Sequence, residues 1–119
     1  MIEERRIQRS EQPVEAARLF LEYDARRNDY AAFTLADGDG LVVVDARSRI
    51  NSEAVAAVAP FAHDTHAPDT SGLLDFVTRG RPLHVRRFDL DGCPMFLAAV
   101  GGETPPSAAA EAAMRRILR

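Results

Sequence analysis

The chain has 119 residues, which is the size of one domain and too short for two ordinary ones. Hydrophobic residues form 46% of it and charged residues 28%, a balance typical of globular proteins that excludes disorder along the whole chain. The formal net charge of −3 argues against nucleic-acid binding, because that binding depends on cations that neutralise phosphates.

Features that govern cellular location point to the cytoplasm. The single cysteine, Cys93, excludes an intramolecular disulfide and suits a reducing compartment. The N-terminus has mixed charge and does not resemble a secretory signal, and the apolar runs are far shorter than the roughly 20 residues of a membrane span. We therefore expect a cytoplasmic protein without membrane insertion. All fifteen basic residues are arginine, which indicates a GC-rich bacterial genome.

The N-terminal part predicts a charged segment followed by a helix. Residues 1–12 are expected to be flexible or ordered by a partner, and residues 13–119 to form a single domain. Residues 13–28 predict a helix, in which Pro13 is tolerated in the first turn. Four apolar residues of this helix recur at the spacing of one face: Ala16, Leu19, Phe20 and Tyr23.

A hairpin and a second helix follow. Residues 30–36 alternate in polarity, residues 41–46 are rich in valine, and the two Asp-Gly pairs of residues 37–40 predict a tight turn between them. Asn51 or Ser52 caps the next helix. Pro60 should kink or end that helix, because proline lacks the backbone donor.

The C-terminal half predicts a second hairpin and a last helix. Residues 63–71 suggest a loop and residues 72–79 a short helical stretch. Residues 82–90 suggest a strand whose apolar residues change parity, which a bulge near Arg86 would reconcile. Residues 95–100 are continuously apolar, as in a central strand covered on both faces. The helix after residues 104–107 presents one apolar face: Ala110, Ala113, Met114, Ile117 and Leu118.

Candidate metal sites lack ligands. His63 and His66 form the best cluster, but no third histidine or cysteine lies nearby, and structural zinc normally takes four ligands. A calcium loop that began at Asp37 would need an oxygen ligand at its fifth position and glutamate at its twelfth, where the chain has Leu41 and Ser48. We expect neither a metal nor another cofactor.

Candidate catalytic residues also lack the groups that would activate them. Asp45 at a strand end suggests a phosphoacceptor, but no lysine is present to balance a phosphoryl group. Cys93 has no strongly basic neighbour in sequence that would stabilise its thiolate. The sequence therefore predicts no enzymatic activity and no catalytic residue.

The second helix has more apolar surface than one sheet can cover. Its small side chains would allow close approach of a second copy across a two-fold axis, unless residues 63–80 fold over it. The predicted dimer interface consists of Ala54, Val55, Val58 and Ala59.

Three segments together resemble the roadblock (dynein light chain) superfamily: the hairpin of residues 33–44, the capped helix of residues 52–60 and the closing strand of residues 96–101. The resemblance implies an α/β fold (an α+β sandwich), roadblock-like or profilin-like, with an antiparallel central sheet. Its order would be α-β-β-α-(β)-β-β-α, where the bracketed strand would fall within residues 63–80. It also implies a homodimer with the second helix near the two-fold axis and the two sheets joined.

The resemblance further implies that the partner is a Ras-like small GTPase or another roadblock-type regulator. We therefore expect a non-enzymatic homodimeric scaffold or adaptor that regulates such a GTPase or its regulatory complex, in bacterial polarity or motility. The alternative is a small-molecule sensor of the GAF or PAS type, for which His84 and Arg86 would be the first specificity groups.

Overall fold

The computed structural model describes residues 2–63 and 72–119, with side chains from residue 12 onward. Four strands form one antiparallel sheet in the order β2-β1-β4-β3, and four helices accompany it. The chain is therefore an α+β protein. Its elements are α1 (Ile2–Asn28), β1 (Tyr30–Asp37), β2 (Val42–Asp45), α2 (Ser52–His63), α3 (Leu73–Thr78), β3 (Leu83–Leu90), β4 (Cys93–Gly101) and α4 (Ala108–Leu118).

The central strand β4 joins the two hairpins. Ala98 of β4 lies opposite Thr34 of β1 on one side and opposite Val85 of β3 on the other. The residues from Met95 to Val100 are all buried, because helices cover both faces of the sheet. The prediction of a central strand covered on both faces is confirmed.

Helices α1 and α4 cover one face of the sheet, and α2 and α3 cover the other. Side chains alternate between the two faces along each strand. On the first face, Phe33 and Leu97 pack with Leu21 of α1 and Met114 of α4. The second face combines alanines with larger residues, which pack with α2: Ala32, Ala36, Ala98, Phe96 and Val100.

Helix α1 differs from its prediction in extent and in the face that it buries. It begins at Ile2, so Pro13 lies inside it. Leu21 and its neighbours on the same face, Ala17 and Ala25, pack on the sheet, whereas Leu19 and Tyr23 are exposed. The predicted face is therefore wrong for three of its four residues, and only Phe20 packs against the core. The prediction that residues 1–12 are ordered by a partner stays a prediction.

Strand β3 pairs with β4 in continuous register, so the predicted bulge near Arg86 is wrong. The change of parity has another cause. Val85 packs in the cluster under α2 and α3, and Phe88 packs in the cluster under α1 and α4. Because both faces are covered, the strand buries apolar residues of either parity without a bulge. Irregular register occurs in β1 instead, on both of its sides.

Pro60 does not end α2, which continues to His63. Packing on both sides of the proline holds the helix together, since Ala59 is buried and the His63 ring lies edge-on to Phe96 with 5.8 Å between ring centres. The predicted short helix is confirmed as α3. The extra strand predicted within residues 63–80 does not occur in residues 72–80, which contain α3 instead. Residues 64–71, which include His66, lie outside the described residues.

The last helix is confirmed with its predicted start and face. The Ser107 hydroxyl accepts a hydrogen bond from the backbone N–H of Ala110 at 3.1 Å, which caps the helix. Ala110, Ala113 and Met114 are buried against the sheet and α1.

Candidate interaction surface

Helix α2 packs three of the four predicted interface residues against its own sheet. Val55 and Ala59 are fully buried in the single chain, and Val58 keeps only 7% of its surface exposed. Of the four, Ala54 has the larger exposure. Contact of these residues with a second copy stays a prediction. The apolar side chains that α2 exposes to such a contact are instead Ala57 and Phe61.

Polar contacts fix the start of α2 against the first hairpin. The Ser52 hydroxyl donates to Oδ2 of Asp45 at 2.7 Å. The guanidinium of Arg18 in α1 donates to the Asp45 backbone oxygen at 3.2 Å. Asp45, a phosphoacceptor candidate in the sequence, therefore ties α1 and α2 to the end of β2.

The β1–β2 turn supports the middle of α2. Oδ1 of Asp37 accepts hydrogen bonds from the backbone N–H groups of Asp39 and Leu41, at 2.9 and 3.0 Å. Gly40 adopts a φ of 79° and comes so close to the helix that an added Cβ would lie 3.2 Å from Cα of Ala57. The Asp-Gly sequence thus forms a tight turn that packs on the helix.

The outer side of α2 and α3 presents exposed apolar side chains. Phe61 is 67% exposed, Phe76 is 82% exposed, and Leu73 is also exposed. Between the two helices lies a groove lined by Ala54 and Phe76 together with Asn51 and Arg79. We call this region the α2–α3 surface, defined by Ala54, Ala57, Phe61, Leu73 and Phe76.

The open edge of β3 adjoins this surface. The N–H of Gly101 bonds the oxygen of Pro82, so alternation along an antiparallel pair directs the backbone groups of Leu83, Val85 and Arg87 away from β4. Within the described residues no backbone partner meets those outward groups. Val77 of α3 packs in the same cluster as Leu83 and Val85, which places α3 over this side of the sheet.

The two polar residues proposed for a sensor pocket make contacts within the fold. Arg86 forms an ion pair with Glu111 of α4, at 2.9 Å between Nε and Oε1. Nε2 of His84 lies 3.3 Å from the backbone oxygen of Gly102. Both side chains therefore contact their own chain, and they bridge β3 to its neighbours.

Two buried polar groups lie near the end of α1. Burial raises the pKa of Asp24, despite the nearby Arg27 charge, and Oδ2 of Asp24 has no hydrogen-bond partner. Burial also raises the pKa of Tyr30, whose hydroxyl donates to the Thr104 backbone oxygen at 2.7 Å. The second contact ties the start of β1 to the loop before α4.

Across residues 12–63 and 72–119, no three histidine, cysteine, aspartate or glutamate side chains converge as metal ligands would. Cys93 is free and exposed. No described helix is both long enough and apolar enough to cross a membrane. Comparison with protein-family models, with curated proteins and with solved structures finds no match to the chain.

Proposed function

We propose that the chain is a non-enzymatic homodimeric scaffold or adaptor that associates through its α2–α3 surface. The observation that carries the proposal is the exposure of Phe61 and Phe76 on neighbouring helices of one layer. Clustered exposed apolar side chains commonly mark a protein–protein contact. Aromatic side chains also supply much of the binding energy at such contacts.

The exposed side chains of the α2–α3 surface supply part of the area that self-association requires. A stable contact buries about 800 Å² on each partner. Two phenylalanines contribute on the order of 300 Å² of that area. The open edge of β3 adds backbone donors and acceptors, which a second β3 strand would satisfy in an antiparallel arrangement. Helix packing and edge pairing together would join the two sheets about a two-fold axis.

The partner proposal rests on the resemblance to the roadblock superfamily. It names a Ras-like small GTPase or another roadblock-type regulator, and it places the function in bacterial polarity or motility in the cytoplasm. The ion pair of Arg86 with Glu111 disfavours the small-molecule sensor alternative, because the guanidinium proposed for specificity already serves a contact within the fold.

Light scattering at micromolar concentration tests the dimer. We expect twice the chain mass for the parent protein and the mass of one chain for Phe76→Arg, because a desolvated guanidinium would face an apolar contact. Leu19→Arg is the matched control, since Leu19 is 59% exposed on the opposite layer and should leave the dimer intact. Val58→Arg would be unsuitable, because Val58 is buried against the sheet.

A parent protein that is a monomer at this concentration would overturn the dimer proposal. A dimer that survives both Phe61→Arg and Phe76→Arg would move the contact away from the α2–α3 surface.

Hydrolysis by a Ras-like GTPase tests the partner. The chain is added to a GTPase from the same genome, and binding and GTP turnover are both measured. Binding with unchanged turnover is the result expected of an adaptor, whereas faster turnover would make the chain an activator. Absence of binding to every such GTPase would refute the partner proposal and leave the dimer proposal standing.

A further inference from the structure

The two edges of the sheet differ in how open they are to a further strand. The β2 edge is short, and the Arg18 side chain donates to the outward backbone oxygen of Asp45 at 3.2 Å, so this group is already paired. The β3 strand is twice as long. Within the described residues, the outward backbone groups of Leu83, Val85 and Arg87 have no backbone partner. A further strand would therefore add at β3 rather than at β2.

The charged side chains of β3 restrict how two such strands pair. In an antiparallel pair about a two-fold axis, one residue of the strand lies opposite its own copy. An axis at Arg86 or at Arg87 would place two guanidinium groups opposite each other, and like charges in that position destabilise a strand pair. An axis nearer either end of β3 would pair only a few residues of each copy. Val85 and Phe88 remain as positions for the axis.

Apolar residues favour Val85 over Phe88. Leu83 and Val85 are half-buried and pack in the cluster under α2 and α3. An axis at Val85 gives each of them an opposite residue in the second strand and brings the two α2–α3 surfaces together beside the axis. An axis at Phe88 would move the second strand by about 20 Å along β3. That shift leaves Leu83 without an opposite residue and separates the two α2–α3 surfaces.

We propose that two copies of the chain join along β3 with Val85 opposite Val85 of the second copy. The inference rests on the proposed dimer and specifies its register. Arg87 then lies opposite Leu83 of the second copy, where its aliphatic stem covers the leucine. In this register Arg87 also keeps the ion pair with Asp89 of its own chain, at 3.4 Å.

This register also limits the assembly to two chains. The contact uses the same β3 edge of both copies, so neither copy keeps a free β3 edge once the pair has formed. The outermost strands of the joined sheet are then the two β2 strands, where Arg18 already binds the Asp45 oxygen. A third copy would find no open β3 edge.

Oxidation of single cysteines reads the register directly. Each variant is made in Cys93→Ser, which removes the exposed native thiol. Opposite residues of an antiparallel pair have Cα atoms about 4.5–5.5 Å apart, a separation that a disulfide spans. We expect Val85→Cys to form a covalent dimer on mild oxidation. Arg87→Cys is the matched control on the same edge, and its Cα atoms would lie roughly 14 Å apart, too far for a disulfide.

Charge reversal separates the two positions of the axis that remain. With the axis at Val85, Arg87→Glu faces Leu83 of the second copy and should leave the dimer mass unchanged in light scattering. With the axis at Phe88, the same variant would face Asp89 of the second copy on both sides of the axis, and the repulsion should separate the chains. Because Arg87 is exposed, this variant does not depend on how the cluster around Val85 tolerates a cysteine.

Three results would overturn the register while the dimer proposal stands. Arg86→Cys or Arg87→Cys could cross-link faster than Val85→Cys, or Arg87→Glu could be a monomer. Val85→Cys could also be dimeric in light scattering and yet resist oxidation, which would place the contact away from the β3 edge. Circular dichroism checks that each variant is folded. Failure of the dimer proposal has a different signature, since the parent protein itself would then be a monomer.

Discussion

Thr34 offers a sharp test of how the sheet packs under α2. Its side chain is fully buried at the middle of β1, and its hydroxyl oxygen has no hydrogen-bond partner. Asp45 lies opposite Thr34 in the β1–β2 register, but its Oδ2 accepts a hydrogen bond from Ser52 of α2, and the Thr34 hydroxyl is left without a partner. Replacement of a buried, unpaired polar group by an apolar group of the same shape removes its desolvation cost.

We expect Thr34→Val to raise the free energy of unfolding by about 1–2 kcal/mol, within the range that unpaired buried groups cost. In a chain of this length that corresponds to a melting temperature about 4–8 °C higher. Urea unfolding followed by circular dichroism measures the change. The dependence of the free energy on urea should stay constant, since the surface exposed on unfolding is the same.

Thr78 is the matched control. It is also buried, but its hydroxyl donates to the Leu74 backbone oxygen at 2.8 Å. Thr78→Val should therefore lower the free energy of unfolding, by about 1 kcal/mol. If Thr34→Val instead destabilises the protein as Thr78→Val does, the Thr34 hydroxyl has a partner and the description of this layer as dry is wrong.

Two further predictions concern the buried carboxyl group of Asp24 and the close-packed backbone at Gly40. Burial raises the pKa of Asp24 above its ordinary 3.8, so the folded protein holds this proton more tightly than the unfolded chain does. The free energy of unfolding therefore falls as the pH rises above 3.8 and the Asp24 carboxyl ionises. Asp24→Asn should thus stabilise the protein at pH 7 and lose that advantage near pH 4 in urea unfolding, and an unchanged pH profile would contradict the assignment. Gly40→Ala should destabilise by about 1–2 kcal/mol, and by more than Gly92→Ala. Both glycines have positive φ, but only at Gly40 would the new Cβ meet another element, at Ala57. Equal losses in the two variants would show that the contact with α2 is unimportant.

Local chemistry made much of the fold predictable. The turn at Asp37 follows from an aspartate and glycines between two apolar runs, and the N-cap at Ser107 follows from a serine just before an apolar helix. The continuous run that ends at Val100 could only be buried on both faces. In each case the residues that decide the structure are adjacent in sequence.

Tertiary contacts decided the features that were mispredicted. Arg18 lies near the buried face of α1 because it binds the Asp45 backbone, and Asp24 is buried without a partner for Oδ2, so the apolar pattern pointed to the wrong face. The apolar residues of β3 point to both faces because a helical layer covers each face, and the sequence of the strand alone does not show that both are covered.

The candidate surfaces could be predicted only in part from the sequence. An excess of apolar residues on the second helix was visible, but small residues serve equally well for contact with a sheet and with a second copy. Phe76 gave one usable signal, since it lies three residues after Leu73 on a helix too short to bury both. The open edge of β3 became a candidate only once its pairing with β4 was known.

The position of β4 also bears on how the chain is made. This strand connects the two hairpins of the sheet, yet it occupies residues 93–101, after three helices and three strands have been synthesised. Until β4 leaves the ribosome, β3 has no neighbouring strand, and β1 is paired with β2 on one side only. We expect the sheet to assemble only after β4 has been synthesised, so the domain would depend on chaperones for its solubility until then.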